Sequence, residues 1–169
     1  MRFTIMKTDL NNYTDLRNFK QDQTLYNPKI LAFDTETNGL NIMFHRPFLY
    51  SFGFFFDNFT KIRTYTLDFE YHPELIPSFF KIIYEEYFPN AEIILGHHIV
   101  FDMHMSTNIN YPIPEKFYPK LSDTQIYIRL GEDPIIPKEG GVPLKLKDYT
   151  YRCIWKGAKF LESRLKTEI

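Results

Sequence analysis

The first seventy residues carry the apolar patterns of strands, with one short helix among them. Residues 2–6 alternate enough to predict a first strand, and a short helix is expected from Thr14, with Thr14 or Asp15 near its N-cap. The apolar run 29–34, the aromatic run 47–56 and the segment 60–69 are separated by turn-forming residues. These three segments predict a meander of three strands.

The middle of the chain combines longer amphipathic segments with one short apolar run. A helix is predicted over residues 73–88, because its apolar side chains recur at the spacing of one helix face. Residues 92–95 form a short apolar strand, and residues 98–105 read as a helix after the glycine that follows it. A further helix is predicted over residues 122–130, with Ser122 as its N-cap.

The order of these elements indicates the fold class and the number of domains. A loop rich in proline and glycine covers residues 131–143, and residues 144–153 and 158–169 again look helical. A strand meander followed by a helix, a strand and more helices predicts an α/β layered domain. Since 169 residues with 44% hydrophobic content suffice for one ordinary core, we expect a single domain over residues 1–169.

Composition narrows the function classes. The formal net charge is −1, so binding to nucleic acid would depend on a local patch or on bound cations. Cys153 is the only cysteine, which excludes an internal disulfide and a multi-cysteine zinc site. No stretch approaches the roughly 18 apolar residues of a membrane span. We therefore expect no membrane association and a reducing, cytoplasmic location, the host cytoplasm if a phage encodes the chain.

Two carboxylates lie at the C-terminal end of the apolar run 29–34. Because strand residues alternate faces, Asp34 and Glu36 project to the same side, about 7 Å apart along the strand, with Thr35 on the other. By itself, such a pair is more often a solvated strand edge than a site. Its members repel each other unless something positive lies between them.

A third carboxylate follows the next apolar strand. Asp102 is predicted about one and a half turns into the helix 98–105, at the same kind of strand exit. Three converging carboxylates favour a hard divalent cation, Mg²⁺ or Mn²⁺, which takes oxygen ligands and offsets their repulsion. A metal pair of this kind hydrolyses phosphodiesters by in-line displacement. Phosphodiester hydrolysis is therefore the predicted chemistry.

The segments FDTETNGL, LGHHIVFD, SDTQIYIRL and LKLKDYTYRCI resemble the proofreading 3′-to-5′ exonuclease domain of family A DNA polymerases, within the DEDD exonuclease superfamily. The likeness covers nearly the whole chain and includes the opening strand and helix, as in phage polymerases. It implies a ribonuclease-H-like α/β fold, with a mixed sheet flanked by helices, and a two-metal mechanism on single-stranded DNA 3′ ends.

The resemblance also implies roles for individual residues. Asp34 matches the carboxylate that both metals share, Glu36 matches a ligand of the first metal, and Asp102 matches the residue that holds the second. Thr37 and Leu40 match positions that line the terminal nucleotide. Two further substrate-binding candidates are His98, which stands where the family usually has Asn, and Phe101 beside Asp102.

The chain departs from this family at the fourth carboxylate. The family supplies it, with a catalytic Tyr four residues earlier, from a late helix, and no Tyr-x-x-x-Asp occurs in this sequence. We expect that catalytic helix to be missing or truncated, with Glu162 and Glu168 as crude substitutes that are better explained as surface charges. Without it, weak activity is expected, and a second polypeptide carrying the polymerase and the missing motif is an expected partner.

Other interpretations stay open at this stage. A non-catalytic descendant could bind nucleic-acid ends or a host or replication protein, and an exoribonuclease of the ribonuclease D type is a third possibility. The pair His97 and His104 lacks a third zinc ligand. The aromatic run 47–56 is explained better by core packing than by base stacking. Basic residues between Lys138 and Arg164 fit a path for a single strand and ordinary solvated charge equally well.

Overall fold

The computed structural model describes residues 4–22, 25, 27–56 and 61–131. Its strands are β1 (Thr4–Asp9), β2 (Ile30–Thr37), β3 (Pro47–Phe55), β4 (Lys61–Asp68), β5 (Ile93–Gly96) and β6 (Leu121–Asp123). Its α-helices are α1 (Tyr13–Gln21), α2 (Ile76–Ile82), α3 (Phe88–Asn90), α4 (Ile99–Asn108) and α5 (Thr124–Gly131). Short 3₁₀ segments cover Pro73–Leu75 and Glu115–Lys120, and a π-helical segment covers Ile83–Tyr87.

The chain divides into two compact units, residues 1–122 and 123–169. Strands β1 to β5 and helices α1 to α4 belong to the first unit, and α5 belongs to the second. The expectation of a single domain over residues 1–169 stays a prediction.

The described strands form one mixed sheet in the order β1-β4-β3-β2-β5-β6. Strands β2, β3 and β4 pair antiparallel, which confirms the predicted meander. Strand β1 pairs parallel with β4, and β5 pairs parallel with β2. Because β2 and β5 are parallel neighbours, their carboxyl ends lie at the same edge of the sheet.

The two faces of β2 have different environments. Leu31, Phe33 and Thr35 are buried on one face, whereas Asp34 and Glu36 are exposed on the other. This alternation follows from the two-residue period of a strand. The sequence prediction that Asp34 and Glu36 share one face, with Thr35 opposite, is therefore confirmed.

The buried face of the sheet packs against an aromatic layer on the helices. Phe79 of α2 contacts Phe52 of β3 edge to face at 5.4 Å, and Phe19 of α1 lies 4.5 Å from Tyr65 of β4 between ring centroids. Each fully buried ring of this kind contributes about 1.5–3 kcal/mol. Tyr50, Phe52 and Phe54 of β3 are at most 2% exposed, so the inward face of the aromatic run 47–56 is core, as its packing interpretation predicted.

Three helix starts differ from their predicted positions. The N-cap of α1 is Asn12, whose side chain accepts from the Asp15 N–H, and not Thr14 or Asp15. Helix α5 begins at Thr124, because residue 122 still belongs to β6 and Asp123 accepts from the Gln125 N–H. Helix α4 begins at Ile99, one residue later than expected, so that Asp102 lies in its first turn.

A lysine from a distant part of the chain caps the C-terminal end of the helical segment that starts at Pro73. The Lys120 ammonium donates to the carbonyl oxygens of Phe88, Pro89 and Ala91 at 3.3, 2.7 and 2.8 Å. A cation at this place satisfies carbonyls that the helix itself leaves without donors and complements the helix dipole. Within the described part of the chain, no helix has the length and apolar character that crossing a membrane requires.

Substituting Lys120→Met should lower the free energy of unfolding by about 1–2 kcal/mol, because three carbonyl oxygens lose a charged donor. Urea unfolding followed by circular dichroism measures the change. The matched control is Lys81→Met, which removes an exposed lysine from α2. Equal stability of the two variants would contradict the capping role of Lys120.

Candidate metal and nuclease site

Asp34 and Glu36 lie at the exposed end of the central strand β2. In the register with β3, Asp34 pairs with Ser51 and Glu36 pairs with Leu49, and an irregularity follows between Glu36 and Thr37. Bulges of this kind bend a strand and change the direction of its side chains. The two carboxylates therefore face solvent at the point where regular pairing ends.

Asp102 reaches the same region from helix α4, but its side chain is buried. It is 2% exposed, and its Oδ1 accepts two hydrogen bonds from Thr35, one from the backbone N–H at 3.1 Å and one from the hydroxyl at 2.5 Å. Thr35 lies on the buried face of β2. Asp102 thus contacts the strand residue between the two exposed carboxylates.

A second pair of side chains holds the backbone around Asp102. The Ser106 hydroxyl donates to the Asp102 carbonyl oxygen at 2.9 Å and also hydrogen-bonds to the Tyr50 hydroxyl. Since Ser106 uses its single proton on the carbonyl, Tyr50 is the donor in the second bond. Tyr50 pairs with Thr35 across β2 and β3. The four residues Thr35, Tyr50, Asp102 and Ser106 form a buried polar network.

The electrostatics reflect the proximity of these carboxylates. Desolvation raises the pKa of Asp34, and the negative charge of Glu36 raises it further, whereas Thr35 and His97 act in the opposite direction. Desolvation raises the pKa of Asp102 to about 7; the Thr35 hydroxyl opposes this shift, and the charge of Asp34 adds to it. Asp34 and Asp102 therefore interact across the end of the sheet.

The donor set is the kind that a hard divalent cation takes. All three candidate ligands are carboxylates. Desolvation is the main cause of the raised pKa values of Asp34 and Asp102, and the charge repulsion that adds to it, from Glu36 on Asp34 and from Asp34 on Asp102, is what a cation would offset. Among the residues that the structure describes, however, no three His, Cys, Asp or Glu side chains form a group suited to a metal ion. The joint site of Asp34, Glu36 and Asp102 stays a prediction.

Thr37 is the last residue of β2, and Leu40 lies on the loop that joins β2 to β3. The Thr37 hydroxyl donates to the Gly39 carbonyl at 2.7 Å, and the Leu40 side chain is 84% exposed. The Asn108 amide at the end of α4 holds this loop by donating to the Ile42 and His45 carbonyls at 2.7 and 2.9 Å. The loop therefore presents Leu40 to solvent from a fixed backbone.

His98 and Phe101 lie together at the start of α4. Their rings are nearly parallel, with centroids 6.3 Å apart, and His98 has the left-handed backbone angles φ 65° and ψ 46°. Asparagine adopts this conformation more readily than most residues do. The backbone thus supplies a physical reason for the Asn that the resembling family has at this position.

Other sequence candidates fall outside this arrangement. No zinc group that includes His97 and His104 is found in the described part of the chain. Glu162 and Glu168, the helices predicted over residues 144–153 and 158–169 and the basic residues between Lys138 and Arg164 lie outside the described residues.

The comparisons with known proteins support the fold. No protein-family model and no curated protein matches the chain. Among solved structures, the EXO domain of Nibbler from Aedes aegypti is similar with a TM-score of 0.53 at 14% identity, over 77% of this chain and 58% of that one. The catalytic core of RRP6 from Trypanosoma brucei is similar with a TM-score of 0.51 at 16% identity, over 75% of this chain and 31% of that one.

These structural neighbours show the fold class of the chain. They are exonuclease domains of the DEDD type, and the mixed sheet flanked by helices is confirmed as an α/β, ribonuclease-H-like fold. At such low identity the likeness concerns the fold. The chain spans little more than half of the Nibbler domain and about a third of the RRP6 core.

The contact between Thr35 and Asp102 is not predicted by the sequence pattern. The pattern places Thr35 on the face of the strand opposite Asp34 and Glu36 and indicates no partner for it. A signal was present, because a threonine that follows Leu31 and Phe33 on a buried face needs an acceptor for its hydroxyl. The sequence did not identify that acceptor.

The raised pKa of Asp102 predicts that the metal-free protein becomes less stable as the pH rises. Folded Asp102 binds its proton more tightly than the unfolded chain does, since its pKa is raised from 3.8 to about 7. Its stabilising contribution is therefore complete below about pH 4 and is lost as the pH rises to about 7. Asp34 acts in the same direction.

Substituting Asp102→Asn should flatten this dependence and stabilise the metal-free protein by roughly 2 kcal/mol at pH 8. Both effects are measured by thermal unfolding of the variant and the wild type in a chelating buffer between pH 5 and pH 8. Glu92→Gln, which neutralises an exposed carboxylate before β5, is the matched control and should follow the wild type. A wild-type protein that grows more stable over this range would contradict the prediction.

Proposed function

We propose that this chain is a metal-dependent 3′-5′ exonuclease domain of the kind that proofreads for phage-like family A DNA polymerases, acting on single-stranded DNA 3′ ends. One observation carries the proposal: Asp34 and Glu36 lie exposed at the end of the central strand, where the charge of Asp34 acts on Asp102, in a fold shared with DEDD-type exonuclease domains. The polymerase context and the choice of DNA rest on the sequence resemblance.

In this proposal the carboxylates hold the cation, and the loop holds the substrate. Asp34, Glu36 and Asp102 supply oxygen ligands to Mg²⁺ or Mn²⁺. The bound metal supplies an activated water and charge stabilisation for the leaving oxygen. The exposed Leu40 side chain offers an apolar surface to the terminal base.

The remaining substrate candidates have more limited roles. The Thr37 hydroxyl proton is already donated to Gly39, so this oxygen can only accept a bond from the nucleotide. The stacked rings of His98 and Phe101 lie beside Asp102 at the start of α4 and offer a surface for the sugar or base.

The rate should be low for this chain by itself. The sequence contains no Tyr-x-x-x-Asp pair, so the fourth carboxylate and the tyrosine that orients the attacking water have no counterpart at that spacing. Each loss of this kind commonly costs about two or more orders of magnitude in rate. As part of this proposal, a second polypeptide that carries the polymerase and the missing motif is a partner that would raise the activity.

The test is degradation of 5′-labelled single-stranded DNA, with a matched RNA in parallel, in Mg²⁺ or Mn²⁺. A ladder that shortens from the 3′ end is expected at a low rate, and Asp34→Ala should reduce that rate at least about a hundredfold because both metals lose a ligand. Glu115→Gln, an exposed carboxylate outside the site, is the control. Cleavage that persists in Asp34→Ala would rule out the proposed site.

Leu40→Ala tests the role of the loop in substrate binding. Because the side chain is 84% exposed, its loss should leave the unfolding temperature unchanged. It should weaken binding of a single-stranded 3′ end about threefold to tenfold through lost apolar contact. Fluorescence anisotropy in Ca²⁺ measures this, with Met6→Ala on the edge strand β1 as an exposed apolar control. Equal affinity of all three proteins would remove Leu40 from the substrate site.

A second candidate is a non-catalytic protein that binds nucleic-acid ends or a host or replication protein. The observation in its favour is that the carboxylates of the described residues do not form a group of three suited to a metal. Against it, a protein that only binds has no use for the mutually repelling Asp34 and Glu36. Binding of single-stranded DNA without cleavage would favour this candidate, if the affinity changes neither in Asp34→Ala nor on addition of divalent metal.

A further inference from the structure

Thr35 contacts Asp102 through two different donors. Its backbone N–H and its hydroxyl both point to the same carboxylate oxygen, Oδ1, at 3.1 and 2.5 Å. The other oxygen, Oδ2, receives neither bond. Two donors on one oxygen fix the rotation of the carboxylate about its last bond and leave its second oxygen pointing away from Thr35.

The rest of the buried polar network fixes the backbone that carries this carboxylate. Ser106 donates to the Asp102 carbonyl, and Tyr50 donates to Ser106 from the strand next to Thr35. Tyr50 and Ser106 are each 1% exposed. Both the side chain and the main chain of Asp102 are therefore held by β2 and β3, so that helix α4 cannot rotate without breaking buried hydrogen bonds.

We propose that Thr35 is a positioning residue: its hydroxyl and N–H orient the carboxylate of Asp102, which would be a ligand of the divalent cation of the site. This inference rests on the proposed function, because it assigns Asp102 to a metal. Thr35 itself touches neither metal nor substrate. It acts on a ligand as hydrogen-bond partners of metal-bound carboxylates do.

The hydroxyl can be separated from the packing of the side chain. Valine has the same branched shape as threonine and suits a buried strand, so Thr35→Val removes one donor from Asp102 and keeps the contacts with the core. Thr35→Ser keeps the donor and loses a methyl group. A structural role would make both variants less stable, whereas a positioning role separates them by metal affinity.

The sheet also supplies a matched control. Thr66 on β4 is 8% exposed, as Thr35 is, and its hydroxyl likewise donates to an aspartate, Asp9. Thr66→Val therefore removes the same kind of threonine–aspartate hydrogen bond, here part-buried, from a residue that does not contact Asp102. Any general effect of losing a threonine hydroxyl from this sheet should appear in both valine variants.

The experiment titrates the full chain and its variants with Mn²⁺ alone and follows the free ion by electron paramagnetic resonance. Unfolding temperatures in a chelating buffer are measured beside it. We expect Thr35→Val to bind Mn²⁺ at least about tenfold more weakly than the wild type. Thr35→Ser and Thr66→Val should bind within about threefold of it, and Asp102→Asn should lose the site that Thr35→Val weakens. If Thr35→Val does not fold, Thr35→Ala replaces it.

Each alternative outcome is decisive. Wild-type affinity in Thr35→Val, together with weakened binding in Asp102→Asn, would overturn the inference and leave the proposed function in place. Equal weakening in Thr35→Val and Thr66→Val would also overturn it, since the effect would then be structural. No saturable Mn²⁺ binding by the wild type would overturn the proposed function, and the inference with it.

Discussion

The buried polar network is the interaction on which the candidate site depends. Thr35 and Tyr50 lie side by side on neighbouring strands, and Asp102 and Ser106 lie one turn apart on α4. Their hydrogen bonds fix the start of this helix against the end of the central strand, where Asp34 and Glu36 are exposed. In an otherwise aromatic core, burying any of these polar groups without its partner would cost free energy. The network therefore fixes how α4 is aligned with β2 and β3, and it also stabilises their contact.

This network relates stability to the proposed chemistry. A carboxylate that is 2% exposed favours its neutral form, and the nearby charge of Asp34 adds to that preference. The two donors of Thr35 act in the opposite direction and favour the ionised form, which is the form that binds a cation. The metal-free fold therefore contains repulsion that a divalent ion would relieve, as is common where a fold places charge for function.

The alternation of apolar and polar residues was sufficient to predict the meander, the buried aromatic run and the common face of Asp34 and Glu36. These features follow from local geometry, because a strand has a fixed two-residue period. Helix starts were predicted less well. The N-cap of α1 is Asn12 and not the predicted Thr14 or Asp15. Several residues near a helix start can act as its cap, and the tertiary structure decides which of them does.

By itself, the sequence determined that Asp34 and Glu36 share one face at the end of an apolar strand and that Asp102 follows the next apolar strand. It also determined the ribonuclease-H-like α/β class, which the solved exonuclease domains share. Only the tertiary structure decided that Asp102 is buried against Thr35 instead of standing in solvent beside Asp34. The physical reason is that a hydrogen bond between residues 35 and 102 depends on the distance and angle between a strand and a helix, which no local pattern in the chain encodes.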